Sequence, residues 1–310
     1  MTIERLGVHT SVAELFPPAV LRDALADTGP TVRIVETDDE LAACDALVTF
    51  DYEESFLQAD LAWIHSILAG VDHFPFDALA DRGTLLTNSA GIHGDSVGET
   101  VAGYMLMFAR GLHTQRTNQL HQEWAYPPWD AAFTLDGESL CVIGLGTLGR
   151  AIAMRADALG MDVTGIKRTP IPIDHVETVY PPDDLHEAVA EARFVALAVP
   201  LTDRTTDLIG ESEFRMLRDD AYLINVARGG VIEQSALVDA LESASLAGAA
   251  LDVFETEPLP DESPLWGMDN VIVTSHAAAA NREYYQRVAA LVRENLRRLD
   301  ADESLTNQVV

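Results

Sequence analysis

The sequence predicts an α/β protein made of two doubly wound parallel-sheet domains. Three observations carry that prediction. Short apolar runs alternate with helical patterns along both halves of the chain, as parallel strands joined by crossover helices require. A polar, glycine-containing connection, Gly91-Ile-His-Gly-Asp-Ser96, interrupts the alternation and reads as a hinge between domains. The alternation then resumes at Ser139 with an apolar run, a glycine-rich turn and a helical pattern.

In order, the first half gives Arg5 to His9, Pro18 to Ala26, Thr31 to Val35, Ala46 to Phe50, Ala62 to Leu68 and Thr84 to Thr87 as alternating elements. A long helix is expected from Val97 to about Gln122. Its apolar segment Val101-Ala-Gly-Tyr-Met-Leu-Met-Phe-Ala109 is either core or a subunit interface. The second sheet is expected from Leu140 to Ile143, Asp162 to Ile166, Phe194 to Val199, Ala221 to Val226, Ala247 to Ala250 and Val271 to Thr274. Asn281 caps a final helix from Arg282 to Leu299, whose apolar positions Tyr285, Val288, Ala289, Val292, Leu296 and Leu299 recur at helical spacing.

The turn after Ile143 reads Gly144-Leu-Gly146-Thr147-Leu148-Gly149, between a strand and the helix from Leu148 to Leu159. This is the context a dinucleotide site needs. The first glycine permits the turn, the second lets backbone approach a pyrophosphate, and the third lets helix pack on strand in a Rossmann-like unit. The helix N-terminus supplies N–H groups and positive dipole to the phosphates. At the end of the next strand, where an NAD site carries an acid for the ribose hydroxyls, the sequence has Lys167-Arg168-Thr169. Two cations and a hydroxyl suit a 2′-phosphate, so NADP(H) is the expected cofactor, with NAD(H) possible.

Composition bounds the setting. The 310 residues hold 50 acidic and 20 basic side chains, a net charge of −30, with an apolar fraction of 48%. Lys167 is the only lysine. Acid surplus with lysine depletion resembles proteins of a high-salt cytosol, where salt screens carboxylate repulsion. Such a surface disfavours nucleic acid and anionic membrane. No basic-then-apolar leader pattern opens the chain and no apolar run approaches the roughly 20 residues of a membrane span, so a soluble cytoplasmic protein is expected. Cys44 and Cys141 read as reduced core residues rather than a disulfide or metal site.

Three further blocks each follow an expected strand: Ile224-Asn-Val-Ala-Arg228-Gly-Gly, Ala250-Leu-Asp252-Val-Phe-Glu-Thr-Glu257-Pro and Val273-Thr-Ser-His276-Ala. Singly, such residues are ordinary strand-end polar groups. Together they suit hydride transfer to a carbonyl that lies beside a carboxylate. Arg228 offers a permanently charged planar fork, and His276 offers a proton to the developing alkoxide. Glu257 orients the ring and favours imidazolium.

In this order the blocks resemble the D-isomer-specific 2-hydroxyacid dehydrogenase family over nearly the whole chain. The resemblance rests on the Leu68-Ala-Gly-Val-Asp72 loop, the glycine fingerprint, Asn225-Val-Ala-Arg-Gly-Gly, Leu251-Asp-Val-Phe-Glu-Thr-Glu-Pro-Leu-Pro and the late histidine. It implies a homodimer in which residues 1–96 with 281–310 form a discontinuous, flavodoxin-like substrate domain. Residues 97–280 form an inserted Rossmann domain, and the cleft between the domains closes on substrate. It further implies that backbone N–H groups of Ala69 and Gly70 hold the substrate carboxylate, with Arg228, Glu257 and His276 as the catalytic set. Asp252 lies near the nicotinamide carboxamide, and Pro200, Thr205 and Val226 join the glycine turn in binding cofactor.

The chain departs from the family pattern twice. Ser275 stands where a proline commonly precedes the histidine, which loosens that turn. Lys167 stands where the family usually has an acid, which bears on cofactor preference and not on the reaction. The activity expected is reversible reduction of a small 2-oxo acid to a D-2-hydroxy acid. The alternative is a nucleotide-sensing protein without turnover, which has no need of the Arg228, Glu257 and His276 set.

Overall fold

The computed structural model describes residues 2–310. In chain order the first part holds β1 (Arg5–His9), α1 (Pro18–Ala24), β2 (Thr31–Val35), α2 (Asp38–Leu41), β3 (Ala46–Thr49), β4 (Trp63–Ser66), α3 (Phe76–Arg82) and β5 (Leu85–Thr87). There follow α4 (Gly94–Ala109), α5 (Leu112–Leu120), β6 (Ser139–Ile143), α6 (Thr147–Ala158), β7 (Asp162–Ile166), β8 (Thr178–Tyr180), α7 (Leu185–Ala190), β9 (Phe194–Leu197), α8 (Glu211–Phe214), β10 (Tyr222–Asn225), α9 (Gln234–Glu242), β11 (Gly248–Leu251), β12 (Val271–Val273) and α10 (Tyr284–Asp300). Two compact units result, residues 1–92 with 281–310 and residues 93–280.

The first unit has a five-stranded sheet in the order β2-β1-β3-β4-β5 and the second a seven-stranded sheet in the order β12-β11-β10-β9-β6-β7-β8. All strand pairs in both sheets are parallel. The apolar runs are continuous because both faces of each sheet are covered. Along β6, Leu140 and Val142 enter one core while Cys141 and Ile143 enter the other, and Phe194, Val195, Ala196 and Leu197 of β9 alternate in the same way. In the first unit Val48 faces Leu6, Trp63 and Val288 of α10, while Leu47 faces Val35, Ile64 and Leu86. Both cysteines are buried and unpaired, and burial pushes the Cys141 thiol up to about 12.

Three elements differ from the sequence expectation. The helix expected from Val97 to Gln122 begins at Gly94 and is two helices, broken at Gly111, whose φ of 60° leaves the helical region. The last helix starts at Tyr284 rather than Arg282, because the Asn281 carboxamide oxygen accepts the Glu283 N–H at 2.8 Å and closes a turn ahead of it. Strand β8 has no apolar run to announce it. It is a three-residue edge strand on β7 with Thr178 exposed. Among the described residues, no helix is long and apolar enough to cross a membrane.

Candidate active site

The strand order of the second unit gathers the functional blocks along one edge. Arg228 follows β10, Glu257 follows β11 and His276 follows β12, three adjacent strands. The glycine turn follows β6 and Lys167 follows β7, on the other side of the β9–β6 pair where the chain order reverses. Ligands of open parallel sheets bind at the carboxyl ends of the strands by such a reversal.

The glycines do separate jobs. Gly144 has φ +100°, and a Cβ there would lie 2.6 Å from the Ala198 carbonyl oxygen. A Cβ on Gly149 would lie 1.9 Å from the Gly144 oxygen, so only glycine lets α6 close on β6. A Cβ on Gly146 would meet nothing within 4 Å. That open, exposed backbone leads directly into Thr147 and Leu148, whose turn of α6 carries N–H groups without intrahelical acceptors. The arrangement fits a dinucleotide pyrophosphate.

Beyond β7, Lys167 is half-buried, and Arg168 and Thr169 are exposed. The Lys167 ammonium reaches the Leu145 carbonyl of the glycine turn at 3.5 Å, and Arg150 Nε reaches the same oxygen at 3.4 Å. Arg150 is a cation that sequence reasoning missed; its place directly after the third glycine was the available signal. Among the described residues, none of Arg150, Lys167 and Arg168 has an ion-pair partner within 4.0 Å. After β9, the Thr205 hydroxyl donates to the Pro200 carbonyl at 2.6 Å and ties that loop together. The Val226 side chain belongs to the core, which leaves its backbone for any ligand.

Arg228 is presented by a loop folded on Asn225, which is buried at 1% exposure. The Asn225 carboxamide donates to the Arg228 carbonyl at 3.0 Å and accepts the Ala227 N–H at 3.0 Å. Gly229 packs so closely on the next loop that a Cβ would fall 1.8 Å from the Phe254 carbonyl carbon. In that next loop Glu257 is oriented from both sides. One carboxylate oxygen accepts the Phe254 N–H at 3.0 Å and the other meets His276 Nδ1 at 2.8 Å. A carboxylate only accepts, so Nδ1 carries the proton and Nε2 is free for chemistry. Both side chains of this pair are partly exposed, 53% and 37%. Its electrostatic contribution to stability is therefore small, and its effect is to orient the ring.

His276 sits at φ +52°, in the left-handed region that only a few per cent of non-glycine residues adopt. Asp252 holds it. This carboxylate is 2% exposed and accepts the Thr274 hydroxyl at 2.6 Å, the Ala277 N–H at 2.8 Å and the Ala278 N–H at 2.9 Å. The single Thr274 proton is thus committed, so the 2.6 Å contact to Tyr104 is donated by the phenol. Burial pushes the Tyr104 pKa up and keeps it neutral. The turn that Ser275 is expected to loosen is clamped from inside by Asp252.

Ala69 and Gly70 lie in the first unit, after β4. Among the described residues, neither backbone N–H has a hydrogen-bond acceptor. The turn is held instead through its carbonyls: Ser89 N–H donates to the Leu68 oxygen at 2.8 Å and the Asn88 carboxamide to the Ala69 oxygen at 2.7 Å. Both N–H groups are thus left as free donors beside the turn's carbonyl contacts.

A glycine turn on a parallel sheet, with an arginine and a carboxylate-oriented histidine at neighbouring strand ends, is the layout of a dinucleotide-dependent dehydrogenase. The model of the D-isomer specific 2-hydroxyacid dehydrogenase NAD binding domain matches residues 102–278. A glyoxylate reductase of Korarchaeum cryptofilum is 32% identical over 281 residues, which cover 86% of this chain and 84% of the relative. A D-3-phosphoglycerate dehydrogenase of Methanocaldococcus jannaschii is 35% identical over 242 residues, 77% of this chain, and this chain spans just 46% of that longer relative. The crystal structure of a D-isomer specific 2-hydroxyacid dehydrogenase of Xanthobacter autotrophicus with NADPH and MES is 31% identical with a TM-score of 0.82, covering 100% of this chain and 98% of that one. The chain belongs to the D-isomer specific 2-hydroxyacid dehydrogenase family.

Proposed function

We propose that the chain reduces a small 2-oxo acid to its D-2-hydroxy acid, reversibly, with NADPH preferred over NADH. The observation that carries the reading is the Glu257–His276 contact of 2.8 Å through Nδ1, made between the loops after β11 and β12, with β11 next to the strand that leads to Arg228. The nicotinamide, when bound, supplies or takes up the hydride. Residues 93–280 hold it: Gly146, Thr147 and Leu148 at the pyrophosphate, and Lys167 with Arg168 and Thr169 at a 2′-phosphate. Arg228 pairs with the substrate carboxylate and polarises the carbonyl through a fixed positive charge. His276 Nε2 gives its proton to the oxygen as negative charge develops there, and Glu257 keeps the ring oriented and balances the imidazolium. The first unit, as substrate domain, offers the Ala69 and Gly70 N–H groups as donors for a substrate carboxylate.

The free cations at 150, 167 and 168 support NADPH, and the Xanthobacter relative was crystallised with that cofactor. Glyoxylate is the first substrate to test, in view of the Korarchaeum relative. Exposed Leu120, Trp124, Tyr126 and Trp129, the last three more than 90% exposed, support a homodimer. The charge of −30 supports work in concentrated salt. Initial rates of glyoxylate and hydroxypyruvate reduction, with NADPH and with NADH in molar KCl, test the proposal. His276→Gln lowers kcat by about 10²–10⁴-fold, and Lys167→Ala loses the preference for NADPH. Tight cofactor binding with no turnover on any 2-oxo acid overturns it.

A further inference from the structure

The first unit contains a buried polar chain that the reaction above does not use. His65, on β4, is wholly buried, as are Trp63, Ser66, Thr87 and Ser89 around it. Its Nδ1 lies 2.8 Å from the Thr87 hydroxyl and its Nε2 lies 3.1 Å from the Ser89 hydroxyl. The neighbours decide which nitrogen carries the proton. The Ser89 hydroxyl donates to the Ser66 carbonyl at 3.1 Å, so its proton is committed and Nε2 must be the donor to it. Nδ1 is then the acceptor, and the Thr87 hydroxyl donates to it while accepting the Trp63 indole N–H at 2.9 Å. Every proton runs one way: indole to Thr87, Thr87 to His65, His65 to Ser89, Ser89 to the Ser66 carbonyl. A chain of this kind fixes its members because each donor has a single acceptor left. Burial lowers the His65 pKa to about 3, which keeps the ring neutral.

The chain ends at the base of the turn with the two free N–H groups. Ser66 carries it on both sides: its carbonyl takes the Ser89 hydroxyl, and its own hydroxyl accepts the Leu68 N–H at 3.2 Å. Ser89 grips the turn a second time through its N–H on the Leu68 carbonyl at 2.8 Å. Ser66 and Ser89 together thus set the path of Leu68, and with it where the N–H groups of Ala69 and Gly70 point.

We propose that His65 is a positioning residue for substrate binding: through its Nε2–H on Ser89 it holds the Leu68-Ala69-Gly70 turn in the shape that receives the substrate carboxylate. The proposal rests on the reading that this turn binds the carboxylate. A ring that only filled the core would have no bearing on substrate affinity. The positioning role acts on binding in ground and transition state alike, so it shows in KM for the 2-oxo acid and not in kcat.

The test compares wild type with Ser89→Ala, His65→Gln and Ala69→Pro by steady-state kinetics in molar KCl, with folding checked by circular dichroism. Ser89→Ala is the main variant, because it cuts the link while leaving His65 and the core volume nearly intact. The expected result is a rise of about tenfold in KM for glyoxylate in Ser89→Ala and His65→Gln, with kcat changed less than threefold and KM for NADPH unchanged. Ala69→Pro deletes one of the two N–H groups and tests the underlying reading. If Ala69→Pro leaves KM for glyoxylate unchanged, the turn does not bind the carboxylate and both readings fall. If Ala69→Pro raises KM while Ser89→Ala leaves it at the wild-type value, the carboxylate reading stands and the positioning role of His65 is overturned. A parallel loss of kcat and thermal stability at constant KM assigns the chain to folding alone, and also overturns it.

Discussion

Asp252→Asn separates two roles for one buried carboxylate. The resemblance to the family places this residue beside the nicotinamide, whereas the structure commits both carboxylate oxygens to the turn around His276, with contacts of 2.6, 2.8 and 2.9 Å. Asparagine is nearly isosteric but offers one acceptor oxygen. With that oxygen kept toward Thr274 and Ala277, the NH₂ faces the Ala278 N–H, donor against donor. One charge-assisted hydrogen bond, about 1.5–3 kcal/mol, is lost, and a buried N–H is left unpaired at about 1–3 kcal/mol. A net cost of about 3 kcal/mol follows, or roughly 6–12 °C in Tm for a domain of this size. The turn also releases His276 from its left-handed backbone, so kcat for 2-oxo acid reduction falls at least tenfold, while Kd for NADPH stays within about threefold. Differential scanning fluorimetry, fluorescence titration with NADPH and steady-state rates on the same preparation read all three quantities. An unchanged Tm, or a tenfold weaker NADPH affinity with unchanged kcat, refutes the reasoning and returns Asp252 to the cofactor.

Three other perturbations test separate parts of the structure. Gly229→Ala places a Cβ 1.8 Å from the Phe254 backbone, so the Arg228 and Glu257 loops must part; a loss of about 1–3 kcal/mol and a more than tenfold drop in kcat/KM are expected, and wild-type kinetics would exclude that packing. His65, lowered from 6.5 to about 3 by burial, stays neutral in the folded chain while the unfolded chain takes up a proton below 6.5. Its contribution to stability is therefore complete above that pH and is lost as pH falls toward 3, by about 2 kcal/mol at pH 5. Unfolding free energies from urea titrations of wild type and His65→Gln at pH 7 and pH 5 should diverge by that amount, and parallel pH dependences count against it. Cys141, buried with its thiol pushed up to about 12, should not react with a disulfide reagent until the protein unfolds. Labelling of the native chain at the rate of a free thiol contradicts its burial.

Much of the architecture is legible in local sequence because its causes are local. Continuous apolar runs mark β6 and β9, whose alternate residues enter two cores, and the glycine pattern marks the turn that only glycine can make at 144 and 149. The residue types at 228, 257 and 276 already specify a cation, a carboxylate and a proton donor. Where a signal was weak, the reading missed. Strand β8 is an edge with little to bury, and the break at Gly111 follows from one backbone angle inside an otherwise helical pattern.

What the sequence by itself determined, then, was the kinds of elements and the chemistry of the side chains they carry. The tertiary structure alone decided that β10, β11 and β12 lie side by side, which brings Glu257 to the ring of His276, and that Asp252 holds residues 22 to 26 positions away. It also decided that His65, Thr87 and Ser89, on adjacent parallel strands and the turn beyond them, close one hydrogen-bonded chain. The physical reason is register. Hydrogen bonds between groups 20 or more residues apart depend on which strands pair and at what offset, and no local pattern of apolar and polar residues encodes that offset.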